Sequence, residues 1–157
     1  MSTKAKISAP KLVVDLQYAS SAIEATLQKI ASPTLIKKWV KNATPLNGLV
    51  TLRFVNAAEG KKLNSAFRQK NYATNVLTFP YTLSKSNLAA DIIFCLPVLQ
   101  KEAKEQSKLL KAHLAHLIVH GCLHAQGYDH EVAKDAKKME ALEIQILHKL
   151  GFTNPYS

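Results

Sequence analysis

Residues 114–130 read Leu-Ala-His-Leu-Ile-Val-His-Gly-Cys-Leu-His-Ala-Gln-Gly-Tyr-Asp-His. From Leu114 to Leu123 only histidines interrupt the apolar residues. A helix of that composition has no polar side to turn towards water, so it must be central and buried. Gly127 suits the left-handed position that ends such a helix. Pro97 fits a helical first turn, and the pattern predicts one long helix from there to about Gln126. A last helix is expected from about Glu131 to Leu150, stopping at Gly151.

Towards the amino terminus, Leu12 to Leu16 reads as a short strand and Ser21 to Ile30 as a helix. Ser32-Pro33 supplies an N-cap and a first-turn proline for a helix through Trp39 and Val40. Asn47-Gly48 signals a turn before the β-rich run Leu49 to Val55. Ala57 to Arg68 is helical. Val76 to Phe79 and Asp91 to Leu96 are strands, the second nearly all apolar and therefore central. Strands and about five helices do not alternate regularly, which predicts an α+β fold. There is no repeat and no linker, so residues 1–157 are expected to form one domain, with 1–10 loosely held.

The bulk numbers agree with a folded chain of one core: 157 residues, 47% hydrophobic. No apolar run approaches the roughly 18 residues of a membrane span. The first residues lack the apolar core of a secretory signal, which makes the cytoplasm the expected compartment. Cys95 and Cys122 form no CxxC and are expected to be reduced and buried. A net charge of +10 attracts polyanions, with nucleic acid the expected partner. Lys101, Lys104, Lys108 and Lys111 recur as a stripe on the long helix, and Lys134, Lys137 and Lys138 form a second group. Both are candidates for RNA phosphates, against the alternative of a solvated face.

The chemistry concentrates in the histidines. Residues four apart share a helix face, so His120 and His124 can point at one metal ion. Gly127 lets the chain turn back, and His130 can bring a third imidazole. Three neutral imidazoles leave one tetrahedral position open for water, the pattern of a catalytic zinc site. His116 and His120 could form a competing pair, but without a returning third ligand, so His116 is assigned to packing or to a hydrogen bond behind the site. His113 and His148 carry no further signal and are expected to be partly exposed. Cys122 faces away from the two proposed ligands and belongs to the core. A bland alternative, core histidines satisfied by hydrogen bonds, competes with the metal reading.

The spacing H-x3-H-x2-G-x2-H is shared with metzincin proteases, which carry a glutamate directly after the first histidine as general base. Gly121 stands there, and glycine takes no proton. His120-Gly121-Cys122-Leu123-His124-Ala125-Gln126-Gly127-Tyr128-Asp129-His130 instead resembles the HGxLHxxGYDH signature of the YbeY endoribonucleases. Leu63-Asn64, Phe67-Arg68 and Thr74-Asn75-Val76-Leu77-Thr78-Phe79-Pro80 resemble that family's LNxxFR…TDVLSFP stretch, and Asp91-Ile92 echoes Gly-Asp-Ile. Asn75, Thr78 and Ala90 depart from the usual aspartate, serine and glycine, and Asn75 puts in doubt any role needing a carboxylate there.

The resemblance implies a small mixed sheet packed with helices in a zincin-like arrangement. It also implies one zinc ion on His120, His124 and His130, and a pocket arginine at Arg68. The implied activity is endonucleolytic cleavage of single-stranded RNA. The implied setting is 3′-end maturation of small-subunit (16S) ribosomal RNA and ribosome quality control, with ribosomal RNA and the small subunit as partners. Arg68 could hold a phosphate and stabilise charge growing in the transition state, against the alternative of a surface salt bridge. Asp129 is a candidate for orienting a ligand imidazole. Two other functions remain as alternatives: a metalloprotease-like hydrolase, and a ribosome assembly factor whose zinc is mainly structural.

Overall fold

The structure, a computed structural model, describes residues 10–157 apart from 71, 130 and 131. The amino-terminal segment expected to be loosely held therefore lies almost wholly outside the described residues. Four strands, β1 (Leu12–Tyr18), β2 (Asn47–Val55), β3 (Val76–Leu83) and β4 (Asn87–Cys95), form one sheet in the order β1-β2-β4-β3. β1, β2 and β4 run parallel, and β3 is antiparallel to β4. The sheet is mixed and the fold is α+β, as expected. β4 is central, and its alternation explains why it reads as almost continuously apolar. Leu88, Ala90, Ile92 and Phe94 enter the main core, while Ile93 and Cys95 enter a smaller core on the other face.

The helices are α1 (Ser21–Ile30), α2 (Pro33–Ala43), α3 (Ala57–Arg68), α4 (Leu96–Glu105), α5 (Leu110–Ala125) and α6 (Ala133–Lys149). Ser20, Ser32 and Asn56 cap the first three, each side-chain oxygen accepting from the backbone N–H three residues on. Residues of α1, α2, α5 and α6 share the main core with the sheet, around the fully buried Trp39, Phe54, Phe94, Leu114 and Ile118. Leu63 of α3 packs on the smaller core. The central α5 carries buried residues around most of its circumference, as its composition requires.

Three local expectations need correction. The long helix from Pro97 is two helices, because Ser107 adopts a left-handed φ of 54°. Ser107 N–H donates to Lys104 O at 3.2 Å and Lys108 N–H to Ala103 O at 2.8 Å, the paired bonds that close a helix end. Glycine normally marks that position; Gly127 and Gly151 do so for α5 and α6, and a serine there is not a recognisable stop. Asn47-Gly48 is not a turn but the first pair of β2. Gly48 has a φ of +132° and approaches Leu88 so closely that a Cβ would lie 1.9 Å from its carbonyl oxygen. Leu96, read as strand, opens α4.

Both cysteines are free and buried. Burial pushes the Cys122 thiol up to about 12, against a weak opposing hydrogen bond with Thr44. The Cys95 thiol is also raised, chiefly by burial. Because the thiolate is the reactive form, neither cysteine should react with a disulfide reagent such as DTNB in the native protein at neutral pH. Both should titrate once it is denatured, and rapid native labelling of Cys122 would contradict this packing.

Candidate active site

Helix α5 carries the histidines along one side. His120 and His124 lie one turn apart, their rings nearly parallel, with an interplanar angle of 10° and centroids 6.4 Å apart. Both line a cleft of about 530 Å³ whose other walls come from the end of α3 and from β3. Arg68, in the last turn of α3, lines the same cleft, as do Phe67, Asn75, Thr78 and Asp129. Residues distant in sequence thus meet: the expected arginine from α3, two expected ligands from α5 and Asp129 from the segment after it. His130, the third expected ligand, lies outside the described residues. The turn before it is well defined. Gly127 takes φ +95°, and Tyr128 N–H reaches back to Leu123 O at 3.2 Å.

Behind the histidines lies a group that the sequence reading missed. Glu143 of α6 is only 1% exposed, and its carboxylate accepts three hydrogen bonds. His116 Nε2 approaches Oε1 at 2.8 Å, His120 Nδ1 approaches Oε2 at 3.3 Å, and the Tyr156 hydroxyl donates at 2.7 Å. A buried carboxylate without partners would be very costly, so these donors are a condition of its presence. An ionised carboxylate only accepts, so the hydrogen of His120 belongs on Nδ1. That hydrogen bond fixes the orientation of the imidazole ring. His116 hydrogen-bonds to the same carboxylate. The signal for Glu143 was present: Met139, Glu143 and Leu147 recur every fourth residue and are all buried, which places the acid on the core-facing side of α6.

Burial raises the pKa of Glu143, but the hydrogen bonds from His116, His120 and Tyr156 outweigh it and hold the carboxyl down to about 2. A carboxyl depressed on folding adds stability above the unfolded value, and that stability is lost as pH falls through the folded one. In the metal-free protein, the melting-temperature advantage over Glu143→Gln should be full at pH 6. It should shrink between about pH 4.5 and 2. A pH-independent difference would contradict this assignment.

His113 corrects an expectation, since it is 4% exposed and not partly open. Its Nε2 lies 3.0 Å from Glu102 Oε1. Asn75 Nδ2 also donates to Glu102, at 3.2 and 3.3 Å, while Asn75 Oδ1 accepts from Val76 N–H at 2.7 Å. The amide at position 75 is thereby fixed in the cleft wall. His148 is exposed, as expected. No ion pair to Arg68 occurs among the described residues, so the salt-bridge alternative finds no partner there.

Gly121 faces the sheet. A Cβ there would lie 2.9 Å from Ile92 Cγ2 and 3.4 Å from Val76 Cγ2, so α5 rests on β4 and β3 through a position with no side chain. The branched Ile92 carbon cannot swing aside cheaply. Overpacking costs about 1–3 kcal/mol and outweighs the helix-propensity gain of up to about 1 kcal/mol. Gly121→Ala should lower stability by about 1–2 kcal/mol in denaturant unfolding, and a stabilised variant would contradict the close contact. A glutamate at this position, as in the proteases, would meet the sheet.

Comparison with known proteins gives the family. The family model described as Endoribonuclease YbeY matches residues 13–151. The chain belongs to the YbeY endoribonuclease family. A family member from Polynucleobacter asymbioticus is 74% identical over 146 residues, covering 93% of this chain and 94% of the relative. One from Janthinobacterium sp. (strain Marseille) is 53% identical, covering 93% and 95%. Both relatives are named Endoribonuclease YbeY. The solution structure of a Thermotoga maritima protein matches with a TM-score of 0.54 at 21% identity, covering 88% of this chain and 92% of that one. That likeness concerns the fold alone. The YbeY match covers the four strands, apart from Leu12, and all the residues that line the cleft.

Proposed function

We propose that this protein is a zinc-dependent endoribonuclease acting on single-stranded RNA in the maturation of small-subunit ribosomal RNA and in ribosome quality control, in the cytoplasm. The observation that carries the reading is the convergence of Arg68, His120, His124 and Asp129 on one cleft in a chain of this family. No helix among the described residues is long and apolar enough to cross a membrane.

The donor set fits zinc: two parallel imidazoles on one helix turn, with His120 oriented by a buried carboxylate. His120, His124 and His130 would hold the ion. Bound there, zinc supplies Lewis acidity at a phosphoryl oxygen and makes water a stronger acid. The protein's own groups do the rest. Glu143 fixes the His120 ring from behind. Arg68 offers parallel N–H donors to non-bridging phosphate oxygens, where negative charge grows as the chain is cut. Asp129 is the one carboxylate lining the cleft among the described residues, and it would orient a ligand imidazole or water.

The protease alternative is disfavoured, since Gly121 is packed on Ile92 and supplies no base. The assembly-factor alternative differs in predicting RNA binding without cleavage. The direct test offers purified protein a single-stranded RNA, its duplex and the corresponding single-stranded DNA. Cleavage of the single-stranded RNA, with the duplex largely spared, is the expected result. Binding without cleavage by zinc-loaded protein would favour the assembly role.

The lysine stripe also needs revision. Because α4 and α5 are separate, it is not continuous, and the Lys108 amine donates to the Pro155 carbonyl. Lys101 lies 3.9 Å from Glu105, an exposed pair of little energetic weight. Lys101, Lys104 and Lys111 remain as exposed candidates for phosphates. Neutralising these three should weaken binding to all RNA sequences alike. It should also flatten the salt dependence by roughly 0.7 in slope per lost contact. An unchanged slope would return them to the role of a solvated face.

A further inference from the structure

Phe67 stands immediately before Arg68 in the last turn of α3, and both line the cleft. It is 66% exposed. Leu63, one turn earlier on the same helix face, packs on the smaller core, as does Phe79 of β3. Phe67 therefore continues an apolar face past the end of that core and out over the cleft. Its contact with Phe79 is near-perpendicular, at 68° with centroids 5.2 Å apart, and leaves two-thirds of the residue in solvent. An occupant that covers this ring gains the apolar burial that folding leaves unused. Two nearby tyrosines have partners of their own. The Tyr81 hydroxyl donates to Asp91 at 2.7 Å, and the Lys138 amine lies over the Tyr128 ring at 6.0 Å.

We infer that Phe67 is a stacking platform for one unpaired base of the RNA, adjacent to the phosphate held by Arg68. The inference rests on the reading of this cleft as the RNA site. A phenyl ring has no hydrogen-bonding group, so it accepts any base face without selecting sequence. In a duplex both faces of each base are already stacked, so the ring has nothing to engage. Phe67 would thereby contribute to single-strand preference, a property that phosphate contacts by Arg68 cannot supply because duplexes also carry phosphates. Guanidinium and ring from consecutive residues then read the two chemically different halves of one nucleotide.

The test measures affinity of zinc-loaded wild type, Phe67→Ala and Phe67→Trp for a 2′-O-methyl oligouridine at fixed salt. It includes versions of that oligomer made abasic at each position in turn. A stacked base is worth about 1–3 kcal/mol, so Phe67→Ala should bind roughly 5- to 150-fold more weakly, and Phe67→Trp should bind at least as well as wild type. One abasic position should weaken wild type by a similar factor while adding nothing in Phe67→Ala. Zinc content and melting temperature should be unchanged in all three. Alanine binding within twofold of wild type, or the same abasic penalties in both proteins, would overturn the stacking role while leaving the cleft as the RNA site. Tight wild-type binding lost equally in the alanine and tryptophan variants, together with a lower melting temperature, would make Phe67 a packing residue. Wild type that neither binds the oligomer nor cleaves RNA would overturn the reading of the cleft itself.

Discussion

Replacing His124 with alanine should leave the protein folded and nearly devoid of zinc. His124 is exposed at the cleft, so its loss opens no core cavity. Removing even an outer partner of a metal ligand typically costs 10–100-fold in metal affinity, so removing a ligand should cost at least about a hundredfold. His120→Ala should lose zinc equally but also lose stability, because Glu143 then forfeits one of its three partners. His130→Ala should lose zinc as well. His113→Ala is the control. It removes a buried hydrogen bond to Glu102 and should cost about 1–3 kcal/mol of stability while keeping the metal. Metal content by atomic emission on gel-filtered protein reads each variant. Full zinc in His130→Ala would revive the competing pair of His116 and His120, although both of those rings already face Glu143.

Arg68→Ala should keep fold and zinc and lose about a hundredfold or more in single-turnover cleavage of single-stranded RNA. Arginine is a cation with donors only and cannot ligate a metal, so zinc content should not change. Its exposed position at a helix end gives little structural reason for the melting temperature to move. Arg68→Lys should recover only part of the rate, since an ammonium keeps the charge without the paired donor geometry. Near-normal cleavage by Arg68→Ala would remove it from the chemistry, and lost zinc or fold would make it structural.

What the sequence disclosed and what it hid follow from the range of the interactions involved. Helix α5 was readable because its burial is written in consecutive residues, and Ser32-Pro33 because capping is local. The break between α4 and α5 was hidden because Ser107 adopts a conformation that usually calls for glycine. Gly48 reads as a turn residue, but its freedom is spent on a close approach to a neighbouring strand. At the site, His120, His124 and Gly127 were legible from helical spacing and turn chemistry. Glu143 and Glu102 were not, because their partners lie 13, 23 and 27 residues away for Glu143 and 11 and 27 for Glu102. Only the position of Glu143 on a buried stripe betrayed it. The carboxylate contacts also account for the histidines beyond the candidate ligands: His113 pairs with the part-buried Glu102 and His116 with the buried Glu143.

The central claim is that zinc held by α5 and the turn after it enables RNA cleavage in the Arg68 cleft. It is tested most directly by single-turnover cleavage of one single-stranded RNA by three highly purified forms. These are the chelator-stripped protein, the same sample restored with one equivalent of zinc, and His124→Ala given the same zinc. Circular dichroism would confirm that all three are folded. The expected result is cleavage only in the zinc-restored wild type. Equal cleavage by the stripped protein, or by His124→Ala, would contradict the account.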